Sequence, residues 1–393
     1  MGHTAAIGRR QEERMNVGKW ARAIGIAAGV AVGVAAAGPA QAAGKDPGKY
    51  RIYLSMSYIG NDWQAEAANM LKALAASKEM RDKVTLKIQV AGPNATRQIQ
   101  QINAMVEAGA QAIIVYPISP TALNEVVKNA CARGVVVAAY DSIITEPCAY
   151  NTHIDQSAWG RIAAEWLVKA LKGKGNIVMI TGVSGTTVDT LRTKAAQAVF
   201  DKYPGIHVIA SANGMWSQAV ARTVLSKIVA THPWSTIDGL WMEAGCYTAN
   251  SIQKEAGIPD DKLKPCAGEG TNGHRIQMLP EGTKVEGAHG DYRPMGAPSI
   301  SLSSQVYPGA MALQMVFDKL EGKPVKKLVL LSPNPVTAET LKMCKTGSWQ
   351  EMRDGCNTFP PAAVPNPGWF ASIYSPALPE LGMKAALNGQ PED

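Results

Sequence analysis

Apolar runs and stripes of apolar residues at three- and four-residue spacing alternate along most of this chain. The run Val135-Val136-Val137-Ala138-Ala139-Tyr140 has no polar alternation. That pattern marks a strand buried on both faces, at the middle of a parallel sheet covered by helices. Residues 50–56, 84–91 and 112–115 read as further strands. Helical stripes lie between them: one runs to about 77, the next carries Ile99, Ile102 and Val106, and a third, opened by Ser119-Pro120, carries Leu123, Val126, Val127 and Ala130. Three βα units in succession specify a parallel, doubly wound sheet.

After a break at 150–154 the alternation starts again. Helices are expected at 156–171, 189–202, 216–231 and 247–255, and strands at 177–180, 207–210 and 240–242. The fold class is therefore α/β, with two similar doubly wound lobes. A helix at 307–320 and a strand at 328–331 follow, and residues 346–393, with Pro360, Pro361, Pro365 and Pro367, read as an irregular strap.

Composition changes this picture at the start of the chain. Arg9, Arg10, Arg14, Lys19 and Arg22 precede an Ala/Gly/Val/Ile run from Ala23 to Gly38, then Pro39-Ala40-Gln41-Ala42-Ala43. This is the pattern of a secretory signal peptide over 1–42, too short and Ala-rich for a membrane span. Gln11-Glu12-Glu13 after Arg9-Arg10 argues against the twin-arginine route, and Met15 is an alternative start. No Cys precedes Cys131, so an exported protein without a lipid anchor is expected, periplasmic in a Gram-negative source. Without 1–42 the chain keeps 34 basic and 30 acidic residues, a net charge of +4. That mild excess gives no reason to invoke nucleic acid.

Six cysteines in an exported chain invite pairing, and fifteen connectivities are possible. The sequential pairing is expected, Cys131 with Cys148, Cys246 with Cys266 and Cys344 with Cys356, because the members of each couple flank a single strand or loop. No couple has the spacing of a zinc or redox site, and no metal is expected.

Candidate chemistry stands at strand tips. Open parallel sheets bind ligands beyond their strands' carboxyl ends, which makes Asp141 a candidate; the alternative is that Asp141-Ser142 only starts a turn. Asn61 with Gln64 forms a capping box that sets Trp63 in the first helical turn, at the end of the first strand. Tyr116, Tyr140, Trp241 and Tyr247 also fall near such ends, with core packing as the default. Gly268-Glu269-Gly270-Thr271-Asn272-Gly273 matches G-x-G-x-x-G but follows no first strand of a βαβ unit, so nucleotide binding is rejected. Gly182-Val183-Ser184-Gly185-Thr186 lacks the last glycine of a nucleophile elbow. Ser251-Ile252-Gln253-Lys254 has no companion motif, and the histidines show no metal-ligand spacing. Nothing marks an enzyme, and no cofactor is expected.

In order along the chain, these segments resemble the ribose/galactose type of periplasmic binding protein, the solute receptors of bacterial sugar ABC importers. Asn61-Asp62-Trp63 is similar to the family's Asn-Pro-aromatic segment, and 98–120 resembles its second helix and third strand. The strand ending at Asp141 matches the one that ends in a sugar-binding Asp, and Arg192 matches the family's binding Arg. Trp216, Glu269 and Gln305 fall where a second aromatic, an acid and a glutamine are expected. The resemblance covers about residues 50–340. It implies an N-terminal lobe of 50–150 plus 306–330 and a C-terminal lobe of 154–303 plus 335–345, with crossings near 151–154, 303–305 and 331–335. It also implies a monomer that closes on ligand by hinge motion and engages a membrane permease.

Such a residue set suits a sugar or related polyol. Asp141 and Glu269 accept from paired hydroxyls, Arg192 donates in a fork, Asn61 and Gln305 do both, and Trp63 and Trp216 offer plates to C–H faces. Two departures leave the ligand unnamed: Asp141-Ser142 stands where the family often has Asp-Arg, and Glu243-Ala244-Gly245-Cys246 where it often has Asn-Asp. Losing an Arg and an Asn removes about seven donor hydrogens. A role in presenting ligand to a chemoreceptor or sensor kinase is the alternative to transport.

Overall fold

The computed structural model describes residues 49–392, so the expected export signal at 1–42 lies outside the described residues. Along the chain come β1 (Tyr50–Met56), α1 (Asp62–Ala75), β2 (Val84–Val90), α2 (Ala95–Glu107), β3 (Ala112–Tyr116), α3 (Asn124–Ala132), β4 (Val136–Tyr140) and β5 (Tyr150–Ile154). The second half holds α4 (Gln156–Ala170), β6 (Lys174–Thr181), α5 (Thr187–Phe200), β7 (Gly205–Asn213), α6 (Gln218–Thr231), β8 (Gly239–Met242), α7 (Cys246–Glu255), β9 (Cys266–Gly268), α8 (Asn272–Met278) and β10 (Ser299–Leu302). The chain ends with α9 (Pro308–Leu320), β11 (Leu328–Leu331), β12 (Pro335–Val336), α10 (Trp349–Arg353) and α11 (Met383–Asn388).

The strands form two six-stranded sheets, ordered β2-β1-β3-β4-β5-β11 and β7-β6-β8-β9-β10-β12. Every pairing is parallel except β10 with β12. The two orders are the same pattern, with the strand order reversing at β1/β3 and at β6/β8. Period-two alternation explains why the strands read as continuous apolar runs. Ile52, Leu54 and Met56 join one core, with α1 and α9, while Tyr53 joins another, with α2 and α3. Likewise Ile177 and Met179 face the core of α4 and α5, while Val178 and Ile180 face that of α6 and α7.

The structure departs from the sequence reading where strands are polar. Residues 150–154, read as a break, form β5, which pairs with β4 and β11 in the first sheet. β10 is Ser-Ile-Ser-Leu, a strand whose serines hide the apolar signal although all four residues are buried. Helix α3 begins at Asn124, after turns at Thr121–Leu123, rather than at Ser119-Pro120. The residues around Trp216 precede α6 instead of opening it, because Ser217 is the cap and its side chain accepts from Val220 N. The three sequential cysteine couples are the three disulfides.

Three segments cross between the lobes. Asp155 follows β5 and caps α4; residues 303–305 join β10 to α9; residues 332–334 join β11 to β12. They are tied side by side, since Ser303 N donates to Asn334 O at 3.1 Å, Gln305 Nε2 to Ser332 O at 2.8 Å and Asp155 N to Leu331 O at 2.8 Å.

The expected irregular strap is ordered against both lobes and holds two short helices. Phe359, Trp369, Phe370, Leu381 and Ala385 are buried in the core of the first sheet. The same segment is gripped by the second lobe: Asn272 Nδ2 donates to Phe359 O at 2.8 Å, Gly273 N to Pro367 O at 2.8 Å and Arg275 Nη1 to Asn357 O at 2.6 Å. Close packing also accounts for two glycines of the run at 268–273. A Cβ on Gly273 would lie 2.6 Å from Pro367 Cβ, and one on Gly268 would lie 1.8 Å from Met242 O.

Candidate ligand-binding site

Strand ends set the site. Beyond the carboxyl ends of β1, β3 and β4 in the first lobe stand Trp63, Tyr116 and Asp141; beyond β6, β7 and β8 in the second stand Arg192, Trp216 and Glu243. All six line one chamber between the lobes, together with Asn61, Gln64, Val188, Ser304 and Phe370. This is the crevice that a doubly wound sheet provides where its strand order reverses. The chamber is narrow, about 30 Å³, and adjoins an outer cleft of about 460 Å³ that shares Asn61, Trp216 and Phe370 with it.

The first lobe contributes rings. Asn61 caps α1, its side chain accepting from Gln64 N at 2.9 Å, which fixes Trp63 in the first turn of the helix. Trp63 is stacked on Tyr140 at a centroid distance of 6.4 Å and tilted against Tyr116 at 6.2 Å. Its Nε1 donates to Ser304 O and Gln305 O, both at 3.1 Å, so the ring is pinned to a crossing segment. Tyr140 is core, as its position predicted, whereas Tyr116 reaches the chamber.

Asp141 has φ +60°, a left-handed conformation that Asp tolerates better than most side chains. Its N–H donates to Thr152 O at 2.9 Å. Its Oδ1 accepts from Gln156 Nε2 at 3.1 Å, and Gln156 Oε1 in turn accepts from Arg192 Nε at 2.7 Å. Gln156 opens α4 directly after the first crossing, so one buried amide joins the carboxylate of one lobe to the guanidinium of the other.

The second lobe contributes charge. Arg192 Nη1 lies 3.7 Å from Glu243 Oε2, and its guanidinium sits 4.2 Å above the Trp159 ring. Trp216 Nε1 donates to Glu243 Oε2 at 2.7 Å, and Thr193 Oγ1 to Oε1 at 3.3 Å. Trp216 lies against Gly182, where a Cβ would come within 2.2 Å of the indole. Burial pushes Glu243 up to about 8, against the pull of Arg192. Burial also pushes Asp141 up to about 6, with Arg192 and Gln156 holding it down. Arg192 is lowered by its own burial, and Glu243 and Asp141 oppose that. Two acidic side chains around one buried guanidinium supply acceptors and a forked donor.

Two expected site residues lie elsewhere. Glu269 is fully buried outside the chamber, and its oxygens accept from Gly245 N, Tyr247 N, Gln218 Nε2 and Thr271 Oγ1 at 2.6 to 3.2 Å. It therefore holds the start of α7 and has little acceptor capacity left. Gln305 braces the crossing segments through Ser332 O. Glu243, Gln156 and Phe370 are among the residues of the site that were not proposed from sequence. Glu243 stands at the tip of β8 as Asp141 stands at the tip of β4, so the same rule would have found it. Gln156 follows a crossing, and Phe370 comes from the tail.

Among the described residues no group of three or more His, Cys, Asp or Glu is arranged to hold a metal ion, and no helix is long and apolar enough to cross a membrane.

Comparison with known proteins agrees with this geometry. A sequence model of the periplasmic binding protein domain matches residues 52–307. The xylitol-binding protein of Mycolicibacterium smegmatis is 28% identical over 170 residues, which are 42% of this chain and 48% of that protein. The galactofuranose-binding protein of Escherichia coli is 26% identical over 221 residues, 54% of this chain and 68% of that one. The match to the first of these thus spans about half of that relative's length. Among solved structures, an ABC transporter solute binding protein from Thermobispora bispora superposes with a TM-score of 0.63 at 25% identity, covering 74% of this chain and 86% of that chain. A galactofuranose binding protein shares the fold with a TM-score of 0.63 at 21% identity, over 78% and 98% of the two chains. These relatives are substrate-binding proteins, not enzymes. With two like-ordered parallel sheets and its strand-tip residues meeting between them, this chain belongs to the periplasmic binding protein family, of the type I, ribose/galactose kind.

Proposed function

We propose that this protein is the receptor of an ABC importer, exported to the periplasm, where as a monomer it binds a monosaccharide or related polyol and presents it to the membrane permease. The observation that carries the reading is the Asp141–Gln156–Arg192–Glu243 network, which gathers acceptors and a forked donor from both lobes beside the indoles of Trp63 and Trp216. Hydroxyls of a polyol replace the partners that these groups now find in one another, and C–H faces lie on the rings. Entry and release of the ligand proceed by movement of the lobes about the three crossing segments. Asn61, Trp63, Asp141, Arg192, Trp216 and Glu243 are the proposed contacts, while Glu269 and Gln305 support the frame.

Support comes from the family match and from relatives named for xylitol and galactofuranose binding. The experiment is a calorimetric titration of the secreted protein with pentoses, hexoses, inositols and pentitols. Saturable one-to-one binding of a member of that panel is expected. Uniform failure, with amino acids or aromatic acids binding instead, removes the reading. A structural relative is the fructose-binding domain of a hybrid two-component system, at 21% identity and a TM-score of 0.57. Uptake that persists after deletion of the gene would therefore favour a sensing role over transport.

A further inference from the structure

The region matched by the family ends at residue 307, yet a residue 63 positions later lines the chamber. Phe370 borders both the inner chamber and the outer cleft. Among the described residues Asn61 and Trp216 share that position, so these three side chains stand at the neck between the two spaces.

The backbone around Phe370 is held from both sides. Towards the second lobe, Trp369 O accepts from Asn272 N at 2.6 Å and Ala371 N donates to Gly270 O at 3.0 Å, so the segment lies as a short antiparallel edge along Gly270–Asn272. Towards the first lobe, Phe370 N donates to Glu66 Oε1 at 2.8 Å. Glu66 is buried on α1, one turn from Trp63, and its Oε2 has no hydrogen-bond partner. Trp369 packs edge-on against Phe359 at 5.3 Å, and Asn366 Nδ2 reaches Asp62 Oδ1 at 2.9 Å. A segment fixed at this many points presents its ring in one place.

We infer that Phe370 is a ligand-contacting wall of the site and the residue that limits ligand size and polarity at its neck. The inference rests on the polyol reading above. A phenyl ring has no donor or acceptor, so a ligand hydroxyl turned towards it loses hydration without compensation, whereas a C–H patch gains contact. The charged groups lie at the opposite chemical extreme, in Arg192, Asp141 and Glu243. The ligand class that satisfies both is a small polyol or sugar with one apolar edge or face, such as a deoxy sugar, rather than one with a hydroxyl on every carbon. Because the segment touches both lobes, its grip also resists their separation.

The test uses the full secreted chain with F370L and F370A, titrated with the sugar and polyol panel. Thermal unfolding establishes that each variant is folded, and F370L keeps most of the packing should F370A not fold. The expected result is a loss of at least tenfold in affinity for the wild-type ligand and a shift of preference towards larger or more hydroxylated members. A ligand-free readout accompanies it: acrylamide quenching of Trp216, isolated by comparison with W216F, rises when Phe370 is shortened. A folded F370L with unchanged affinities, unchanged ranking and unchanged Trp216 quenching overturns the inference. If the wild type binds no member of the panel, the polyol reading fails, and the quenching result still decides whether Phe370 closes the neck.

Discussion

The two walls of the chamber are built from the same topology and do different work. The first lobe offers a packed aromatic group, Trp63, Tyr116 and Tyr140, in which each ring lies within 6.4 Å of the others. The second offers a charged set, Arg192 and Glu243, with Trp216 hydrogen-bonded to the acid. Rings packed in a core contribute mainly to stability, because their area is buried whether or not ligand is present. A charged set contributes mainly to recognition, because its groups are costly to bury and are best satisfied by a partner shaped for them. Equivalent strand tips thus carry different chemistry: packed rings with Asp141 in the first lobe, an ion pair with one half-buried indole in the second.

The sharpest break in that comparison comes from the two tryptophans. Trp63→Ala should cost about 3–5 kcal/mol of stability by urea unfolding, the range for removing a buried aromatic. Trp216→Ala, at a half-buried loop position, should cost much less stability while lowering affinity; equal stability losses would erase the distinction. Next in size is Arg192→Ala. It leaves Glu243 and Asp141 without their cation, so a stability loss of about 3 kcal/mol is expected together with loss of binding. Arg192→Lys should restore part of the stability but not the affinity, because the forked donor is gone. Recovery of both would mean that only charge matters.

Smaller effects probe the carboxylates. Asp141→Asn should weaken sugar affinity by about 1.5–3 kcal/mol with folding intact; unchanged affinity in the folded variant would remove Asp141 from the site. The pH dependence has two opposed signs. For stability, Asp141 is raised from 3.8 to about 6 and Glu243 from 4.5 to about 8, so the folded state holds protons that the unfolded chain releases. Their contribution to stability is therefore fullest below about pH 4 and declines as pH rises towards about 8. For binding, hydroxyl donors prefer ionised acceptors, so affinity should fall first as pH drops through about 8, where Glu243 takes up a proton, and again below about 6, where Asp141 does. Asp141→Asn should flatten that lower limb, and a limb unaltered by the substitution would assign it to another group.

Sequence carried the fold well where strands are apolar on both faces, as in β3 and β4. It failed at β5 and β10, where Asn151, His153, Ser299 and Ser301 occupy strand positions and mimic linker composition. Of the proposed contacts, Asn61, Trp63 and Asp141 were legible because each follows a recognisable strand near its carboxyl end, whereas Arg192 and Trp216 came from the family resemblance. Glu269 was misleading for a physical reason. Half of its donors are backbone N–H groups of Gly245 and Tyr247, and a chain of letters does not show which backbone groups converge on a carboxylate. Phe370 was invisible, since a Pro-rich tail carries no periodicity that says where it folds back. Arg275 shows how firmly it does so: buried and lowered to about 9 by that burial, it donates to Asn357 O and to Ser372 Oγ, both in the tail.

The central claim is that charged groups of both lobes converge on a polyhydroxy ligand. Calorimetric titration of the wild type, Asp141→Asn and Arg192→Ala against the same sugar and polyol panel tests it most directly. The account predicts one-to-one binding by the wild type, at least tenfold weaker binding by folded Asp141→Asn, and none by Arg192→Ala. Binding of equal strength in all three proteins, or no polyol binding by the folded wild type, would contradict it.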